Sequence, residues 1–148
     1  MNEQTSVLIV DDEAPARARL RELLGDLAIE FKVEVVGEAS AGTEALGLIE
    51  SLQPKVVFLD VQMPGMSGIE LARHLSAQAA HGRLQMPMVV FVTAFDEFAI
   101  EAFEVRAIDY LLKPVRVARL LDTLRRIGQR SADERIEITG SAAKLLSP

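Results

Sequence analysis

Val56-Val57-Phe58-Leu59-Asp60-Val61-Gln62-Met63-Pro64-Gly65 is the stretch from which the rest of the chain can be read. Its first four residues form a near-continuous apolar run, half of it β-branched, the pattern of a strand covered on both faces. An acid closes the run and a Pro-Gly turn follows. Similar short runs stand at residues 6–10, 33–36, 88–92 and 108–112. The stretches between them change period. Leu20, Leu23, Leu24 and Leu27 form one stripe at helical spacing, Ala45, Leu48, Ile49 and Leu52 a second, and Val117, Leu120, Leu121 and Leu124 a third. Strands alternating with helices imply right-handed crossovers, hence an α/β fold with a parallel sheet between two layers of helices.

Punctuation agrees with these limits. Ser67 and Glu70 form a capping box, so a helix should start just after the Pro64-Gly65 turn. Pro54 ends the second helix, Pro87 precedes the fourth strand, and Pro114 opens the last helix. Five βα units therefore occupy residues 1–130, one domain of ordinary size. Residues 131–148 break the pattern. They read as a polar linker in which Arg135-Ile136-Glu137-Ile138-Thr139 alternates like a lone strand.

Composition narrows the function classes. With no cysteine, neither a disulfide framework nor a thiolate metal site is possible. No apolar run approaches the roughly 20 residues that span a bilayer, and the N-terminus enters a strand without a signal peptide. A soluble cytoplasmic protein with no membrane contact is expected. A net charge of −6 argues against these residues holding nucleic acid themselves.

Ligands of open parallel sheets bind beyond the carboxyl ends of the strands, so the residues that follow each strand carry the chemistry. These are Asp11, Asp12 and Glu13 after the first, Asp60 after the third, Thr93 after the fourth and Lys113 after the fifth. Carboxylates gathered on one edge repel each other unless a cation intervenes. Mg²⁺ suits such a set, because it takes one or two carboxylates and keeps waters that phosphate oxygens can replace. It would also offset the repulsion between an anionic nucleophile and an anionic phosphoryl donor. A carboxylate can itself accept the phosphoryl group. Taken singly, each residue has an ordinary explanation, such as an aspartate capping the next helix. Four strands delivering apt residues to one edge is what tips the balance.

The runs Val7-Leu8-Ile9-Val10-Asp11-Asp12-Glu13, Val57 to Gly65, Val92-Thr93-Ala94 and Tyr110-Leu111-Leu112-Lys113-Pro114 resemble the receiver domain of two-component response regulators. The resemblance covers residues 6–130. It implies a flavodoxin-like sheet of order 2-1-3-4-5 and a phosphoryl group accepted by Asp60 from a sensor histidine kinase. It assigns Mg²⁺ to Asp11, Asp12, Asp60 and the Gln62 backbone carbonyl. Thr93 and Lys113 would engage the phosphoryl group, and Tyr110 would be the aromatic that turns inward when Thr93 moves. The Lys113–Pro114 bond is expected to be cis. The implied output surface is the fourth helix, expected at residues 96–104, with the fifth strand and fifth helix, on which activated receivers form homodimers. Residues 93–114 are in turn similar to the LytTR-type (AlgR/LytR) transcriptional regulators, which implies a DNA-binding output domain beyond residue 148 and contact with DNA only through it.

Other classes remain to be weighed. A haloacid-dehalogenase-like phosphatase also uses an aspartate nucleophile, but wants a second aspartate where Gln62 stands. The domain is therefore expected not to be an enzyme beyond its own phosphorylation and dephosphorylation. A stand-alone receiver acting through protein contacts stays open. Phe95 either lies over the pocket and restricts water or is a packing aromatic. His74 and His81 have no partners at ligand spacing and read as solvated. Arg116, Arg119, Arg125, Arg126 and Arg130 read as a solvated face of the last helix, and Met63, Met66, Met86 and Met88 as core or loop filler.

Overall fold

A computed structural model describes residues 4–146, with side chains described through residue 133. Five parallel strands, β1 (Thr5–Val10), β2 (Val33–Ala39), β3 (Val56–Leu59), β4 (Met88–Thr93) and β5 (Asp109–Leu112), lie in the order β2-β1-β3-β4-β5. The expected sheet is the observed one. Crossovers run through α1 (Ala14–Asp26), α2 (Gly42–Leu52), α3 (Gly68–Ala80) and α4 (Ala99–Glu104), and α5 (Val117–Leu146) closes the chain. A four-residue helix, Ala28–Phe31, follows α1 and ends on Lys32 in the left-handed region (φ 54).

Side chains alternate across the sheet and build two cores. Val7, Ile9, Val56, Phe58, Val90 and Val92 face α1 and α5, where Leu20, Leu24, Leu120 and Leu124 cover them. Leu8, Val10, Val57, Leu59, Val89 and Phe91 face the other side, under Ile49, Leu71, Leu75 and Ala102. The period-2 pleat thus fixes which helix can cover which residues, and a one-residue slip would exchange the two faces.

Three expectations are corrected. Arg135 to Thr139 lies within α5, not in a strand. An isolated strand leaves its peptide groups unpaired, whereas a helix bonds them internally. The helix expected at residues 96–104 begins at Ala99, because residues 96–98 form a turn in which Ala99 N–H reaches the Asp96 carbonyl. The last stripe is displaced as well. Val117 is 46% exposed, and the buried set is Leu120, Thr123, Leu124 and Ile127.

Candidate functional site

β1, β3, β4 and β5 all end on one edge of the sheet, and each delivers one of the expected groups there. Asp11 follows β1, with its N–H on the Ala39 carbonyl (3.0 Å). Its Oδ1 accepts the Glu13 N–H at 2.9 Å, and the Arg17 guanidinium donates to its carbonyl at 2.7 Å. Asp60 follows β3 and donates its N–H to the Val10 carbonyl (2.9 Å), so the two acids are fixed by adjacent strands. Both are buried, and Asp12 is exposed beside them. One ligand oxygen from each of Asp11, Asp12 and Asp60 lies within 4.8 Å of the others.

Lys113 reaches into this cluster from the end of β5. Its Nζ is 2.7 Å from Asp11 Oδ2 and 3.5 Å from Asp60 Oδ2. That asymmetry has an electrostatic result. Burial, then the Asp11 charge, push Asp60 up to about 6, and the more distant Lys113 and the Gln62 backbone N–H offset this only in part. Burial works against the Lys113 charge, but its hydrogen bond to Asp11 and the charge of Asp60 outweigh it and raise its pKa. Lys113 therefore stays an ammonium, and the pocket holds more negative than positive charge. The Lys113–Pro114 peptide is cis, as expected.

Thr93 ends β4, is fully buried, and its Oγ1 accepts the Phe95 N–H at 3.3 Å. The Tyr110 hydroxyl donates to the Phe95 carbonyl, and its ring lies 6.5 Å from that of Phe91. Phe95 is thus held at both peptide groups by Thr93 and Tyr110. The residue is 44% exposed, and its ring stands edge-on to Phe98 at 6.4 Å. His74 is half-buried and His81 exposed, and neither joins an acidic cluster among the described residues.

Two contributors were not foreseen. Gly68 is buried at the start of α3, and a Cβ there would fall 2.1 Å from the Asp60 carbonyl oxygen. Only glycine lets α3 press against the backbone that carries Asp60. The available signal was a glycine at a first helical position, where it is a weak helix former. The second is Asp109, buried at the start of β5 and bound by residues 10 to 17 positions later in the chain. No local pattern marks such a pairing.

Comparisons with known proteins identify the family. The response regulator receiver domain profile matches residues 7–125. The chain belongs to the response regulator receiver domain family. This receiver domain is 51% identical over 123 residues to an uncharacterized response regulatory protein of Yersinia pestis, covering 83% of this chain and 48% of the relative. It is 45% identical over 132 residues to the transcriptional regulatory protein BtsR of Escherichia coli, covering 89% and 52%. The chain thus spans about half the length of the curated relatives it matches. Among solved structures, the REC domain of AraT from Geobacillus stearothermophilus aligns with TM-score 0.75 at 36% identity, covering 88% of this chain and 97% of that one. The response regulatory domain of mrkE from Klebsiella pneumoniae aligns with TM-score 0.73 at 33% identity, covering 84% and 96%.

Receiver domains bind Mg²⁺ in an acidic pocket, and the residues of this receiver domain fit that ion. The donor set is all oxygen, two of its three carboxylates are buried, and one ammonium does not neutralise them. Among the described residues, no helix is long and apolar enough to cross a membrane.

Proposed function

We propose that Asp60 accepts a phosphoryl group from a sensor histidine kinase or from a small donor such as acetyl phosphate. The observation that carries this reading is the meeting of Asp60 with Asp11, Asp12 and Lys113 within one partly buried pocket, beside the buried Thr93. An Asp60 carboxylate oxygen forms the new bond to phosphorus in line as the bond to the donor's nitrogen or oxygen breaks, and the leaving group takes that electron pair. Asp11, Asp12, Asp60 and the Gln62 backbone carbonyl would hold Mg²⁺, whose chemistry is to neutralise charge between nucleophile and donor. Lys113, only loosely paired with Asp60 at 3.5 Å, turns to a phosphoryl oxygen. Thr93 Oγ1 exchanges its bond with Phe95 for one to the phosphoryl group, and the Phe95 segment and Tyr110 follow. The residue two positions after Asp60 is Gln62, so the general acid that a haloacid-dehalogenase-like phosphatase carries at that position is missing, and the site acts as a switch.

The responding surface is α4-β5-α5. Ile100 (73% exposed), Phe103 (84%), Leu112 (49%) and Val117 (46%) give it an apolar centre. Asp96, Glu97 and Glu104 lie on the α4 side, Arg116 just before α5 and Arg125 and Arg126 on it. A second copy related by a two-fold axis can set acid against base around that centre. The half-length match to curated relatives, one of them a transcriptional regulatory protein, supports a DNA-binding output outside this chain. The similarity of residues 93–114 favours the LytTR type, and DNA is contacted through that part alone. A stand-alone receiver is the alternative, and the coding sequence beyond Pro148 separates the two. The reading puts the domain in the cytoplasm with the catalytic half of its kinase.

The deciding experiment compares the intact mass of wild type and Asp60→Asn after incubation with acetyl phosphate and Mg²⁺. Wild type is expected to gain one phosphoryl group, lose it in acid-labile or alkali-labile fashion, and gain none under chelation. Uptake by Asp60→Asn at the wild-type rate would falsify the assignment.

A further inference from the structure

Asp109 is buried at the start of β5, outside the phosphoacceptor pocket, and α5 supplies most of its partners. Arg119 grips its carboxylate with two N–H bonds, at 2.8 and 3.0 Å. The Thr123 hydroxyl donates to it at 2.7 Å, and Arg126 lies 2.9 Å away. The same carboxylate accepts the Tyr110 N–H at 2.9 Å, and Arg119 Nη2 also donates to the Tyr110 carbonyl at 3.3 Å. Both peptide groups of Tyr110 are therefore held by one ion pair. Its ring belongs to the other side of the sheet, against Phe91 and the Phe95 carbonyl.

We propose that Arg119 and Asp109 are positioning residues for Tyr110, pinning its main chain to α5 so that the ring's orientation depends on how α5 sits against β5. The regulatory meaning of this rests on the receiver reading above. A buried carboxylate needs partners, but Arg126 and Thr123 already provide two. Arg119 adds what they do not, a planar fork that spans Asp109 and the Tyr110 carbonyl together, which a lysine ammonium cannot reproduce. Burial alone would favour a neutral Asp109, yet the Arg119 and Thr123 bonds hold its pKa below the usual carboxylate value, so the pair is charged. Whatever moves α5, including a second copy docked on it, then acts on Tyr110 through one peptide unit. The effect runs both ways, because coupling between two sites is reciprocal.

Tyr110 is the only tyrosine in the chain, and there is no tryptophan, so one fluorotyrosine reports on it by fluorine NMR in the whole protein. Wild type without additives is expected to give a single sharp resonance. Arg119→Gln and Arg119→Lys should broaden or split it, and Thr123→Val, which keeps side-chain volume and guards against a folding failure, should do so more weakly. Arg126→Gln touches Asp109 but not Tyr110 and should leave the resonance as in wild type. A sharp wild-type line in folded Arg119→Gln, or equal broadening in Arg126→Gln, overturns the proposal. Adding beryllofluoride and Mg²⁺ separates the two readings. A wild-type line that does not shift counts against the phosphate switch, while the broadening by Arg119→Gln without additives still supports the pinning of Tyr110.

Discussion

Under the proposed transfer, a carboxylate that attacks phosphorus has to be ionised and has to be reached, and Asp60 meets these needs in opposition. Burial raises it to about 6, so near neutral pH it is still mostly charged, and its oxygens face Lys113 and Asp11 instead of bulk water. Its main chain is less free than its side chain. The N–H is tied to Val10, and the carbonyl lies where a side chain on Gly68 would be. Gly68→Ala should therefore force α3 and the Asp60 peptide apart and cost about 2–3 kcal/mol of stability, as overpacking against backbone does. Chemical denaturation of the variant measures the loss, and a difference within error of wild type would show that α3 can move away without cost. A methyl at Gly65, which has open space around it but a φ of 79, tests backbone strain instead of contact.

At the scale of elements, β5 and α5 are joined by a charged bond inside the protein, and this makes their union sensitive to acid. Asp109 has a folded pKa below its ordinary value of 3.8. A depressed carboxylate contributes stability that is fully present above the unfolded pKa and is lost as pH falls through the folded one. Asp109→Asn is expected to lower stability by on the order of 2 kcal/mol at neutral pH, since it leaves two guanidiniums without their anion. The gap between variant and wild type should narrow below about pH 4, where the wild-type carboxylate also protonates. Urea midpoints across that range check both the size and the sign. The sequence made the strands, α1 and α2 legible because burial on a sheet leaves a strong apolar signature, and α3 through its Ser67 cap. Asp11, Asp60, Thr93 and Lys113 were legible because a parallel sheet collects strand ends on one edge. Asp109 was not, since it sits inside a strand pattern and its partners are an element away. The helix Ala28–Phe31 and the start of α4 are set by turn geometry that a period cannot report, and residues 135–139 offered too short an alternation to outweigh continuation of the helix before them.

For the molecule as a whole, Ile100, Phe103, Leu112 and Val117 share the α4-β5-α5 face, while Ile29 and Leu52 are exposed elsewhere. Burying a phenylalanine is worth about 1.5–3 kcal/mol, and each 1.4 kcal/mol is roughly tenfold in association. Phe103→Ser should leave folding within about 0.5 kcal/mol of wild type, because the side chain is already in water. It should weaken self-association in beryllofluoride and Mg²⁺ by tenfold or more, read by sedimentation velocity at several protein concentrations. Unchanged association would move the contact to another face. The two buried clusters on either side of the sheet have no member in common, and this shapes what a change in α4 entails. Ala102 and Tyr110 pack with α2 and α3, whereas α1 and α5 seal the opposite side. The domain therefore has a keel. One half can shift its cargo of side chains while the other stays packed behind five strands of backbone, and the Arg119–Asp109 pair is a tether that carries the movement across to α5.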